Sequence, residues 1–222
     1  MEFLSLRIDE ETDTKRKVIL IAIEAFQEYG YGGASLKMIA KRAGISAPAL
    51  YWHFASKEDL FAEALSSMLL ELLNYVYSNT KSEDPETKLR EFVRAHVYWQ
   101  LTRQEISGAY AGLMSIETQL HKLSETHQHN LTQPQREYRD FLCDIIEAGA
   151  QQGRFQPTNI KMTAYAILAM CDRVHSWYKH GGELSVEDVC DAYEEYALKL
   201  CYKFMSDDAS NDLENDALVS KK

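Results

Sequence analysis

Apolar side chains return every three or four residues along almost the whole chain, and strand-like alternation is nearly absent, so the fold class is all-α. Four prolines and ten glycines punctuate this pattern, mostly where a helix has to stop. A first helix carries Val18, Ala22, Ala25, Phe26 and Tyr29 on one face and ends at Gly30. Ser35 then caps a two-turn helix with Leu36, Ile39, Ala40 and Ala43 on one face, terminated by Gly44. Ser46 caps another over 47–54, with Pro48 in its first turn and Leu50 and Phe54 sharing a buried side. Neither short helix is stable alone, and two of them joined by a tight turn and braced by a third make a unit of helix-turn-helix type.

Ser56 caps a long helix that opens with Lys57, Glu58 and Asp59 and continues its apolar face through Leu65, Leu69 and Leu72 to Val76. Asp84 and Pro85 open a helix to about Arg103; a short helix is expected over 105–120 and irregular chain over the polar stretch 121–133. A helix follows over 134–152, and the last two are expected over 159–180 and 186–205, the final one capped by Ser185 and Asp188. The chain thus divides into a frayed arm (1–14), a three-helix head (15–60, with the two short helices at 35–54), a larger helical body (61–206) and a disordered acidic tail (207–222).

Charge separates the same parts. The net charge is −10, yet residues 15–57 hold seven basic against two acidic side chains, a net of +5 that leaves −15 on the rest. One end is built to meet a polyanion and the other is not. With Leu50 and Phe54 inward, the third helix turns Ala47, Pro48, Ala49, Tyr51, Trp52 and His53 outward, within a rim of Lys37, Lys41, Arg42 and Lys57. Small residues let the backbone approach base edges, while the aromatics pack on sugar or thymine methyl and Tyr51 and His53 bond phosphate. The competing reading makes Tyr51 and Trp52 core and the lysines a solvated face.

Several classes are disfavoured. The four cysteines contain no Cys-x-x-Cys pair and read as reduced thiols of a cytoplasmic protein. No secretory leader and no run of eighteen apolar residues is present, so no membrane partner is expected. His121, Glu125, His127 and His129 lack metal-ligand spacing, and no nucleophile elbow, phosphate loop or paired carboxylates mark an enzyme; no catalytic residue, metal or cofactor is assigned.

The stretch SLKMIAKRAGISAPALYWHFASKEDLFAEAL, 35–65, resembles the DNA-binding domain of the TetR family of transcriptional regulators, and AIEAFQEYGYGGAS before it is similar to that family's first helix and turn. The resemblance implies that Ser35, Tyr51, His53 and Lys57 clamp phosphates, that Lys37, Ala47, Pro48, Ala49 and Trp52 approach bases, and that Ser46 belongs to the same surface. It further implies a homodimer through the last two helices, set on a palindromic double-stranded operator with heads about 34–36 Å apart. A small apolar effector would release that operator through the long helix that starts at Lys57. Aromatic and small residues of the middle helices, Phe92, His96, Trp99, Tyr110, Met114, Tyr138, Phe141 and Leu142, suit an apolar lining. The stretch 149–189 is similar to sensor regions that respond to acyl-CoA thioesters. On that likeness Arg173 and Trp177, one turn apart, meet a phosphate and the adenine ring of an acyl-CoA; Arg173 serves equally as an ion-pair partner between subunits. An efflux repressor induced by a non-CoA hydrophobic compound and a helical protein-binding adaptor remain the alternatives.

Overall fold

Side-chain oxygens of Ser35, Ser46, Ser56, Asp84, Ser124, Asn159 and Ser185 each accept a backbone N–H from the first turn of the helix they precede. These caps set the starts of most elements in the computed structural model, which describes residues 10–103 and 123–202. The helices are α1 (Glu10–Gly33), α2 (Leu36–Ala43), α3 (Ala47–His53), α4 (Lys57–Asn79), α5 (Pro85–Thr102), α6 (Glu125–Gln151), α7 (Ile160–Arg173) and α8 (Val186–Cys201), with one 3-10 turn at Val174–Ser176; the described residues contain no strand.

Two apolar cores divide the molecule. The head core gathers Val18, Phe26, Ile39, Leu50, Phe54 and Phe61 from α1 to α4. The body core is built around α5, which packs against α4, α6, α7 and α8. Leu89, Phe92, Val93, Ala95, Val97, Trp99 and Leu101 bury most of its circumference, as a central helix requires. On the α8 side, Arg90 pairs with Glu194 and Glu195, and Arg94 with Asp191 and Glu194.

The chain departs from expectation in three places. The helix leading into the head already starts at Glu10, inside the expected arm, and Gly30 interrupts it with φ +68° before one more turn to Gly33. The polar stretch 121–133 is helical from Glu125, and Pro134 sits inside α6 rather than at its start. Ser124 caps that helix, and Leu131, buried in the head core, anchors its second turn; these outweigh the hydrogen bond that Pro134 removes. The helix expected to reach residue 180 stops at Arg173, where the chain tightens to a 3-10 turn and the Ser176 hydroxyl donates to the Arg173 carbonyl at 2.7 Å. The short helix expected over 105–120, the end of the last helix beyond 202 and the tail lie outside the described residues.

Candidate functional site

Gly44, with φ +72°, turns the chain sharply between α2 and α3, and Ser46 accepts the Ala49 N–H to start the second of them. Leu50 is completely buried beneath α3, which fixes what its other side shows. Trp52 is 89% exposed and Tyr51 55%, so both stand in solvent and not in the core. Ser35, Lys37, Ser46 and Pro48 are exposed beside them, while Ala47, Ala49 and His53 are half-buried. Lys57 is drawn inward: its ammonium lies 4.5 Å from the Tyr31 ring centre and 3.5 Å from the Gly32 carbonyl, and burial lowers its pKa. Arg42 is engaged by Glu28 at 2.7 Å and by the Tyr29 hydroxyl at 3.0 Å.

A seam joins this head to the body. The Ser124 N–H donates to Glu58 Oε1 at 2.6 Å, and His127 Nε2 lies 2.8 Å from Asp59 Oδ1. The Ser56 hydroxyl, ahead of His127, holds the Asp59 carboxyl below its usual pKa. Leu123 and Leu131 complete the head core from the α6 side. None of these contacts was assigned a role from sequence, because the segment reads as polar loop until Leu131 is seen as an anchor.

Immediately beyond Leu131, α6 enters the wall of a cavity of about 650 Å³. Met68, Leu69 and Leu72 of α4, Trp99 and Gln100 of α5, Thr132, Gln135, Arg136, Tyr138 and Arg139 of α6, and Tyr165, Leu168, Ala169, Asp172, Arg173 and His175 line it. Of the residues expected there, Trp99, Tyr138 and Arg173 are brought together. Phe92 lies in the body core stacked on Tyr138 at 5.0 Å, Leu142 is fully buried, and Phe141 packs on Tyr77 and Phe92. His96 sits behind the wall with its Nδ1 2.9 Å from the Tyr138 hydroxyl. Because α7 ends at Arg173, Trp177 does not share a helical face with it; the indole stacks on Tyr193 and donates to that hydroxyl at 3.2 Å. Tyr110 and Met114 fall outside the described residues.

The α7 wall was legible as a spacing: Tyr165, Leu168, Ala169 and Asp172 recur at i, i+3, i+4 and i+7. Arg136 and Arg139 fall inside the helix expected over 134–152 but were given no role there. Arg139 bonds Asp140 at 2.6 Å and the Tyr165 hydroxyl at 3.2 Å, and the Asp140 contact raises its pKa further. No helix among the described residues is long and apolar enough to cross a membrane.

An exposed two-helix reading surface, tied through α4 and α6 to a cavity in a helical body, defines a ligand-responsive, DNA-binding transcriptional regulator of the repressor type. Two families match the chain: "Bacterial regulatory proteins, tetR family" over residues 19–64 and "Tetracyclin repressor-like, C-terminal domain" over 82–201. The protein belongs to the TetR family and is a regulator, not an enzyme. The transcriptional repressor KstR2 of Mycolicibacterium smegmatis is 27% identical over 180 residues, 80% of this chain and 85% of the relative. A tetR-family regulatory protein from Rhodococcus RHA1 has the same fold at a TM-score of 0.74 and 25% identity, over 86% of this chain and 98% of its own. AibR in complex with isovaleryl coenzyme A and operator DNA matches at 0.69 and 23% identity, over 86% of this chain and 100% of its own.

Proposed function

We propose that the protein is a cytoplasmic homodimeric repressor that holds a palindromic operator through Ser35, Lys37, Ser46, Ala47, Pro48, Ala49, Tyr51, Trp52, His53 and Lys57, and that an anionic apolar effector, a CoA thioester, releases it. The observation that carries the effector reading is the placement of Arg136, Arg139 and Arg173 around a cavity whose inner wall holds Met68, Leu69, Leu72, Trp99 and Leu168. Three guanidinium groups gathered on a body of net negative charge suit a phosphorylated head, and the apolar wall suits an acyl chain. The fold accommodates such a molecule, since AibR of the same fold was crystallised with isovaleryl coenzyme A and operator DNA. Trp177 has no part in this site.

Release follows from shared elements. Helix α4 contacts Tyr31 through Lys57 at one end and the cavity through Leu72, fifteen residues and about 22 Å further on. Helix α6 runs from the Glu58 and Asp59 contacts to Arg136 and Tyr138 of the cavity. An effector that favours one setting of these helices shifts the relative orientation of the heads by as much as its affinities for the two settings differ.

A band-shift titration of the full-length protein on DNA upstream of its own gene, with and without a long-chain acyl-CoA, tests both parts. Loss of the shifted band on adding the thioester supports the whole reading. A band that persists keeps the repressor and removes the CoA class. No band at low salt removes the operator and returns the protein to an adaptor.

A further inference from the structure

Behind the apolar wall of the cavity lies a polar chain that an acyl tail alone does not explain. His96, 1% exposed, has its Nε2 3.1 Å from Asp172 Oδ1 and its Nδ1 2.9 Å from the Tyr138 hydroxyl, and the Gln100 amide lies 3.2 Å from the same Nε2. The Gln100 amide nitrogen can only donate, so Nε2 accepts from it and the imidazole proton stands on Nδ1. Nδ1–H in turn donates to the Tyr138 oxygen. The phenol O–H is left free to donate, and Tyr138 lines the cavity.

His175 stands on the same wall. Its Nδ1 is buried and finds no well-formed hydrogen bond among the described residues, with only the Asp172 backbone close to the ring. Burial lowers the pKa of this imidazole, which keeps it neutral at neutral pH and able to meet an uncharged polar group. A buried ring nitrogen without a well-formed hydrogen bond costs free energy unless a ligand supplies one.

We propose that the part of the effector that enters the cavity carries a hydroxyl group, read by Tyr138 and His175. A hydroxyl accepts from the Tyr138 O–H and serves His175 in either tautomer, because it also donates. A ketone accepts from Tyr138 but has no proton for a bare His175 nitrogen, and a saturated chain leaves both groups unmet. A second carboxylate would face Asp172 across the same wall. The inference rests on the reading of this cavity as the effector site and narrows the molecules that fit it.

The test is a calorimetric titration of the full-length protein with decanoyl-CoA, β-hydroxydecanoyl-CoA and ω-hydroxydecanoyl-CoA, repeated with the three free acids. At least one hydroxylated probe should bind about tenfold or more tightly than the saturated probe of its pair. In Tyr138→Phe, which keeps the ring and loses only the hydroxyl, that ratio should fall towards one while the saturated probe binds as before. His175→Leu should lower the ratio too, and gives a second reading should Tyr138→Phe fold poorly. A merely structural role for either residue would weaken all probes alike and leave the ratio intact. Equal binding of hydroxylated and saturated probes by the wild type overturns the proposal. If only the free acids bind, the CoA class is lost and the hydroxyl preference is judged on them; if no probe binds, the proposal falls with the site.

Discussion

Trp52 is the least economical residue on the surface of the head, a large apolar ring left 89% in water one position before a half-buried histidine. Its removal touches no core contact. Trp52→Ala should therefore change folding stability by no more than about 0.5 kcal/mol, yet weaken operator binding about tenfold or more. Urea unfolding and an operator titration on the same sample separate the two effects; a stability loss that tracks the binding loss would return Trp52 to a packing role. Gly149 makes the opposite case. A Cβ there would run into the ring of Phe155, itself 1% exposed. Alanine favours a helix by about 1 kcal/mol over glycine, but overpacking costs about 1–3 kcal/mol. Gly149→Ala should lower stability, and a rise in the urea midpoint would show that the Phe155 ring has room to move.

The caps decide where the helices begin, and they also set an acid limit on stability. Backbone bonding from Thr87 to Asp84, the Ser185 hydroxyl on Asp188 and the Ser56 hydroxyl on Asp59 each hold a carboxyl below its ordinary value of 3.8. A carboxyl whose folded pKa is depressed stabilises the fold above its unfolded pKa, and loses that contribution as pH falls through the lower folded value. Asparagine also caps but does not titrate. The pair Asp84→Asn and Asp188→Asn should thus lose less stability than the wild type between about pH 5 and pH 3, as read from urea midpoints; equal losses would mean these caps take no part in the acid limb. The same caps explain what the sequence discloses. Ser35, Ser46, Ser56 and Asp84 announce α2 to α5 to within a residue, because cap and apolar face agree. Helix α6 does not announce its first turns, since its anchors are Leu131 and, just ahead of the helix, Leu123, and their partner core is far away in sequence. For the cavity, aromatic content pointed to Phe92 and Leu142, which fill the core instead. Which face of a central helix meets a void is settled by all its neighbours, so a reading confined to one helix cannot find it.

The head has two or three turns of reading surface, too little to hold a duplex firmly, which places the affinity of the molecule in its assembly. The outer stripe of α7, with Met162 and Ala166 at i and i+4, is exposed, Met162 to 72%, and Tyr196 and Leu200 are exposed on α8. Apolar stripes on two adjacent helices without cover in the single chain fit a four-helix interface between two copies, as proposed for the last two helices. Pairing makes the second head's encounter with DNA intramolecular, so two weak half-site contacts combine at an effective concentration set by the rigid body. Leu200→Asp puts a charge into that contact and, being partly exposed in the monomer, costs the single chain little. It should give a monomer by sedimentation, with operator affinity lower by about a hundredfold or more and thermal unfolding at low concentration little changed. A Leu200→Asp protein that stays dimeric would move the interface elsewhere. One that becomes monomeric yet holds the operator as tightly would mean that a single head suffices, and would overturn the proposed palindrome.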